Sequence, residues 1–159
     1  MSTIKEALSQ KIPGIREEIK KLVKEHGTTK ISEVTLAQAY GGMRGVKSLV
    51  CDTSEVDNNR GVIIGGIHIS ELTEKQPEEI LWLLLTGELP DSRSLETLKA
   101  ELQKRSTTVP QYVWDVLKAM PKDSHPMTMF STAILVMDKD SHFKKRYDQG
   151  MRKEEYLEP

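Results

Sequence analysis

The stretch EEILWLLLTG, residues 78–87, limits what this chain can fold into more than any other. Two acidic residues follow Pro77, where the positive end of a helix dipole favours them, and six apolar residues in succession follow these. A helix apolar nearly all round has no face to offer water, so the stretch predicts a helix buried on most sides and closed by Gly87. Six apolar residues are far too few to cross a bilayer, so the partner surface must be other protein.

The surrounding sequence supplies helices. Apolar residues recur at Ile4, Leu8, Ile12, Ile15, Ile19, Leu22 and Val23, one stripe of a helix that Pro13 and Gly14 should kink or split and Gly27 should end. A short helix over 35–40 follows. Asp91 or Ser92 can cap a helix bearing Leu95, Leu98 and Leu102 on one face. Another follows Pro110, with Val113, Val116, Leu117 and Met120 inward and Pro121 as its stop. Ser124 can cap HPMTMFSTAILVMD, in which Met127, Phe130, Ile134 and Met137 share a face beside the small residues Ser131, Thr132 and Ala133. A last helix is expected from Ser141 through Tyr147, Met151 and Tyr156 towards Glu158 and Pro159. Only segments 46–53 and 61–69, rich in Val and Ile and separated by Asp57, Asn58 and Asn59, have β texture, and they predict one small hairpin near residues 46–69. The fold class is therefore mainly α. No repeat or shift in composition divides residues 1–159.

Bulk charge excludes some functions. With 23 basic against 24 acidic residues, no global field draws the chain to nucleic acid or to an anionic membrane, so any anion site must be local. The single cysteine, Cys51, allows no internal disulfide and no Cys-x-x-Cys metal site. A soluble protein of a reducing compartment, the cytoplasm, is the simplest expectation. Cys51, in an apolar context, reads as a small core residue.

Four histidines, His26, His68, His125 and His142, lack metal-ligand spacing, so no metal is expected. Asp123, Ser124 and His125 are adjacent, but adjacency does not make a catalytic triad; His125 before Pro126 reads as a helix-start residue. Gly65 and Gly66 suit a bulge or a close backbone approach rather than a phosphate loop. Arg44 differs. In YGGMRGVKS it stands among Gly41, Gly42 and Gly45, which permit left-handed backbone, and its guanidinium offers a planar fork suited to phosphate oxygens, with Lys47 three residues on. A structural ion pair is the competing reading.

Three blocks in order, YGGMRGVKSLVCDTSEVDNNRGVIIGGIHISE, EEILWLLLTGELPD and VPQYVWDVLKAMPKDSHPMTMFSTAILVM, resemble the citrate synthases of mitochondria and some bacteria, in the N-terminal portion of their large domain. The resemblance implies a mainly helical fold and an acyltransferase of the tricarboxylic acid cycle. That enzyme condenses acetyl-CoA with oxaloacetate to citrate and CoA as a homodimer, with no cofactor beyond the acetyl-CoA cosubstrate. It assigns Arg44 to a CoA phosphate, and the helices over 126–137 and from Ser141 onward to the dimer interface. None of the four histidines matches a catalytic position of the family. The resemblance therefore implies that the small domain and catalytic segments lie outside these 159 residues, which alone should be inactive. Alternatives are the corresponding segment of a 2-methylcitrate synthase, or a non-catalytic helical module binding CoA or a partner.

Overall fold

The structure, a computed structural model, describes residues 3–157. It is mainly helical, with eight α-helices and one three-stranded antiparallel sheet among the described residues. The chain divides into two compact units, Met1–Leu98 and Lys99–Pro159. Composition gives no sign of this division because it falls inside a continuous helix.

In the first unit, helix α1 (Ile4–His26) starts at a capping box in which Thr3 Oγ1 accepts from Glu6 N and Glu6 Oε2 accepts from Thr3 N. It runs unbroken through Pro13, so the expected split does not occur. Proline removes one donor here, and the carbonyl left over belongs to Ser9, which is exposed and can turn to water. Gly27 closes the helix in right-handed rather than left-handed geometry (φ −61°). The early turns meet helix α4, where Lys11 Nζ donates to Thr86 O (2.8 Å) and Glu88 Oε1 (2.7 Å). Further along, Ile15, Ile19, Leu22 and Val23 are exposed.

After helix α2 (Leu36–Tyr40) come strands β1 (Ser54–Asp57), β2 (Gly61–Ile64) and β3 (Ile67–His68). Asp57 Oδ1 accepts the N–H groups of Arg60 and, next, Asn59, which folds the first loop and holds the Asp57 carboxyl below its ordinary pKa. The second loop is Gly65-Gly66, both left-handed (φ +56° and +80°), as a two-residue type I′ hairpin requires. This turn corrects the expected strand over 46–53. The β1–β2 ladder pairs Ser54 with Ile64 and ends as Gly65 N donates to Thr53 O, so earlier residues have no strand to pair with. They are irregular and, apart from the half-buried Val46, exposed, Leu49 and Val50 included.

Helix α3 (Ile69–Leu72) leads to α4 (Pro77–Thr86), which Gly87 ends in left-handed geometry (φ +79°) as expected. The core of this unit gathers Ile63, Leu72, Trp82 and Leu83, with Leu83 fully buried. Helix α4 is covered on one side only; Leu81, Leu84 and Leu85 remain 38–48% exposed, against the expectation of burial on most sides. Helix α5 (Ser92–Ser106) is capped by Asp91, whose Oδ1 accepts from Ser94 N at 2.7 Å.

In the second unit, α6 (Gln111–Ala119) packs on α7 (Pro126–Met137), with Val113 buried. The cap of α7 is His125, whose Nδ1 accepts from Met127 N, and not Ser124. Pro126 at the first helical position fixes this start, since it places the cap on the residue before it. Helix α7 turns Met129, Thr132, Ala133 and Val136 partly inward and leaves Met127, Phe130, Ile134 and Leu135 exposed. Helix α8 (His142–Asp148) stops earlier than its apolar spacing suggested. Gly150 is left-handed (φ +86°) and Met151 N donates to Arg146 O, a glycine cap that outweighs the periodicity beyond it. Phe143, Tyr147 and Tyr156 then cluster, ring centroids 5.2–6.4 Å apart. The expected run to Glu158 and Pro159 lies outside the described residues.

Candidate functional site

The loop carrying Arg44 is built from two successive turns. Helix α2 opens with a Thr35–Gln38 capping box: Thr35 Oγ1 accepts from Gln38 N (3.2 Å) and Gln38 Oε1 accepts from Thr35 N (3.0 Å). It closes with Gly42 left-handed (φ +77°) and Met43 N donating to Gln38 O at 2.7 Å, the six-to-one bond of a Schellman cap. A β-turn follows at once. Val46 N donates to Met43 O (3.1 Å), with Arg44 second and Gly45 (φ +73°) third, the position where a type II turn demands positive φ. A Cβ added at Gly42 or Gly45 would meet no atom within 4 Å, so these glycines are needed for their backbone angles, not for space. Met43, with a side chain, is also left-handed (φ +60°).

Arg44 is thus displayed at a turn corner, exposed, with its carbonyl accepting from Gln38 Nε2 at 3.4 Å. Among the described residues its guanidinium has no ion-pair partner, and Lys47, also exposed, has none. This removes the structural ion pair that competed with an anion contact, within the described residues. An exposed, permanently charged fork on a turn fixed by backbone hydrogen bonds can meet phosphate oxygens without first breaking a salt bridge.

The other candidates are put to different uses. His68 and His125 each accept a backbone N–H through Nδ1 at a helix start, from Ser70 and Met127 respectively. His68 Nε2 also meets the Arg60 carbonyl, which ties the β1–β2 loop to β3. His26 stands in the last turn of α1 and His142 opens α8. No three His, Cys, Asp or Glu side chains among the described residues gather as a metal group would need. Cys51 is not a core residue. It is exposed because 46–53 is not a strand, and its Sγ lies 3.4 Å from Thr53 Oγ1 and from Ser54 O. The Thr53 hydroxyl, and then the backbone of Ser54, lower the thiol pKa. Cys51 and Gly65 line a shallow hollow of about 200 Å³ beside the sheet.

Sequence reasoning singled out Arg44 and its glycines but not Gln38, which bonds to this loop. Its signal was readable: Thr35 and Gln38 have the spacing of a capping box, which marks where α2 begins and so where its closing turn must fall.

The family model described as "Citrate synthase, C-terminal domain" matches residues 42–158, which include Arg44. The mitochondrial citrate synthase of Saccharomyces cerevisiae is 45% identical over 97% of this chain and 34% of its own length. The peroxisomal citrate synthase of the same yeast is 40% identical over 97% of the chain and 35% of its own. The mitochondrial 2-methylcitrate synthase of Yarrowia lipolytica is 39% identical over 96% of the chain and 35% of its own. The chain spans about a third of the length of the curated relatives it matches. A match to the family model across most of the chain, joined to these identities, settles its kinship: the chain belongs to the citrate synthase family.

Proposed function

We propose that these residues form the N-terminal portion of the large domain of a citrate synthase and that Arg44 meets a phosphate of coenzyme A. The observation that carries the Arg44 role is a guanidinium held out on a doubly turned loop with no acidic partner among the described residues. The N-terminal placement rests on the order of the three sequence blocks; the matching family model is itself described as a C-terminal domain.

In the proposed reaction acetyl-CoA condenses with oxaloacetate and water to give citrate and CoA, with acetyl-CoA as cosubstrate and no further cofactor. A base must take a proton from the acetyl methyl group and a donor must stabilise the enol. By the resemblance none of the four histidines stands at a catalytic position, and His68 and His125 are engaged as helix caps, so the proposal places those groups on sequence outside these residues, and the 159-residue chain alone makes no citrate. The working unit is a homodimer. Support comes from α7, whose outer face exposes Met127, Phe130, Ile134 and Leu135 at 53–74%, apolar surface of the kind that marks an interaction site.

A 2-methylcitrate synthase is the second reading, favoured by the Yarrowia lipolytica relative. The cytoplasmic setting expected from the sequence finds no support among the relatives, whose names are mitochondrial and peroxisomal. No helix among the described residues is long and apolar enough to cross a membrane.

The test is a titration of the chain with CoA, with and without Arg44→Ala. Loss of a charge-assisted contact should weaken affinity by about tenfold or more. Equal affinities would remove the phosphate role. Citrate formed from acetyl-CoA and oxaloacetate by the 159 residues alone would overturn the placement of the acid and base groups. Comparing acetyl-CoA with propionyl-CoA in the whole enzyme separates the two acyl readings.

A further inference from the structure

We infer that Gln38 is the positioning residue of the Arg44 turn, an inference that rests on Arg44 meeting a CoA phosphate. One side chain and one carbonyl of Gln38 reach Met43 and Arg44, the first two residues of the turn. The amide oxygen is identified by its partner, because only an acceptor can meet the Thr35 backbone N–H at 3.0 Å. That leaves Nε2 as the end facing the Arg44 carbonyl, at 3.4 Å. The same residue's backbone oxygen takes the Met43 N–H at 2.7 Å. The side-chain bond is long and the backbone bond is short, but they act together on consecutive residues.

The hold matters because packing does not supply one. Residues 41–45 are all exposed, and Met43 sits in a left-handed conformation that side-chain-bearing residues avoid unless their surroundings enforce it. Polar bonds are what remains to fix the corner: beyond the Gly41–Ala37 bond that closes α2 and the Val46–Met43 bond of the turn itself, those observed among the described residues come from Gln38. With Gln38 anchored at its oxygen by the helix cap, the Arg44 backbone is placed before any ligand arrives, which lowers the ordering cost of binding.

The test measures CoA affinity by titration calorimetry at fixed ionic strength for the chain, Gln38→Met, Arg44→Ala and the double variant. Methionine keeps the length but neither caps nor donates. Gln38→Met should bind CoA about 2- to 10-fold more weakly, the range for losing one hydrogen bond. The double variant should bind no more weakly than Arg44→Ala alone, since without the guanidinium there is nothing left to position. Weakening by Arg44→Ala with none by Gln38→Met, or effects that simply multiply, would overturn the Gln38 role and leave the Arg44 role standing. No effect of Arg44→Ala, or no CoA binding by the unsubstituted chain, would sink the phosphate reading and with it the function assigned to Gln38. Amide hydrogen exchange at Met43 and Val46 decides the hold on the turn without CoA. Both amides should exchange about 2- to 10-fold faster in Gln38→Glu, which keeps the capping oxygen but cannot donate to the Arg44 carbonyl. Unchanged rates would show that Gln38 does not hold the corner, and this variant serves even if Gln38→Met loosens α2.

Discussion

Gly65 lies so close against Leu83 that a Cβ at residue 65 would come within 2.6 Å of Leu83 Cδ1 and 3.0 Å of its Cγ. The hairpin turn between β2 and β3 is therefore seated directly on the most buried residue of α4, and its glycine is needed twice, for a left-handed φ of +56° and for this contact. Gly65→Ala should destabilise the first unit by about 2 to 4 kcal/mol, combining left-handed strain with overpacking. Leu83→Ala should cost about 2 to 5 kcal/mol as a cavity. Because the second change opens the space the first needs, urea unfolding of the double variant should show less than the sum. Strict additivity would mean that the two residues do not press on one another.

The guanidinium of Arg44 differs from an ammonium in geometry as well as charge. Arg44→Lys keeps the charge and loses the planar fork, so it should recover only part of the CoA affinity lost in Arg44→Ala. Full recovery in a titration would show that charge alone is read at this corner.

Asp91 gives α5 a pH-dependent start. The Ser94 backbone N–H, and then its side chain, hold the Asp91 carboxyl below its ordinary pKa. A depressed carboxylate stabilises the fold above its unfolded pKa and loses that contribution as pH falls through the folded one. The melting temperature of the chain should thus exceed that of Asp91→Ala at neutral pH, and the gap should close as pH drops below the carboxylate range. A gap that stays constant with pH would rule out the ionised cap.

Cys51 should react as a thiolate at lower pH than an ordinary thiol, because the Thr53 hydroxyl and then the Ser54 backbone favour the charged form. Alkylation by iodoacetamide followed against pH reads this directly. Thr53→Val should move the midpoint upward, and an unmoved profile would assign the shift to other groups.

The outer face of α7 should drive association. Sedimentation of the chain should show concentration-dependent dimers, and Phe130→Glu, placing a charge where Phe130 is 59% exposed, should shift them towards monomer. A chain that stays monomeric at high concentration would remove α7 as the dimer surface.

Much of the fold was legible locally. Capping and turn chemistry need only neighbours: Pro77 and Gly87 bound α4, Asp91 starts α5 and Pro126 fixes the start of α7, whereas the Gly150 cap that ends α8 was passed over in favour of the apolar spacing beyond it. The same local rules made Arg44 visible, since glycines at 42 and 45 announce a turn and an arginine between them is placed on its corner. Partners distant in sequence were not legible. Segment 46–53 has β texture, but strand formation depends on whether another strand is there to pair, and the Gly65-Gly66 turn ends β2 before it can reach those residues. That one tertiary fact exposed Cys51. Likewise periodicity shows that α4 and α7 have apolar faces without showing which of them the fold covers. Burial is decided by what arrives from elsewhere, so Leu83 came to lie under Gly65 while Leu81, Leu84, Leu85 and Phe130 were left facing outward. Arg44 is a mixed case: the sequence determined that a turn displays it, and only the tertiary structure showed that no acidic side chain among the described residues comes back to neutralise it.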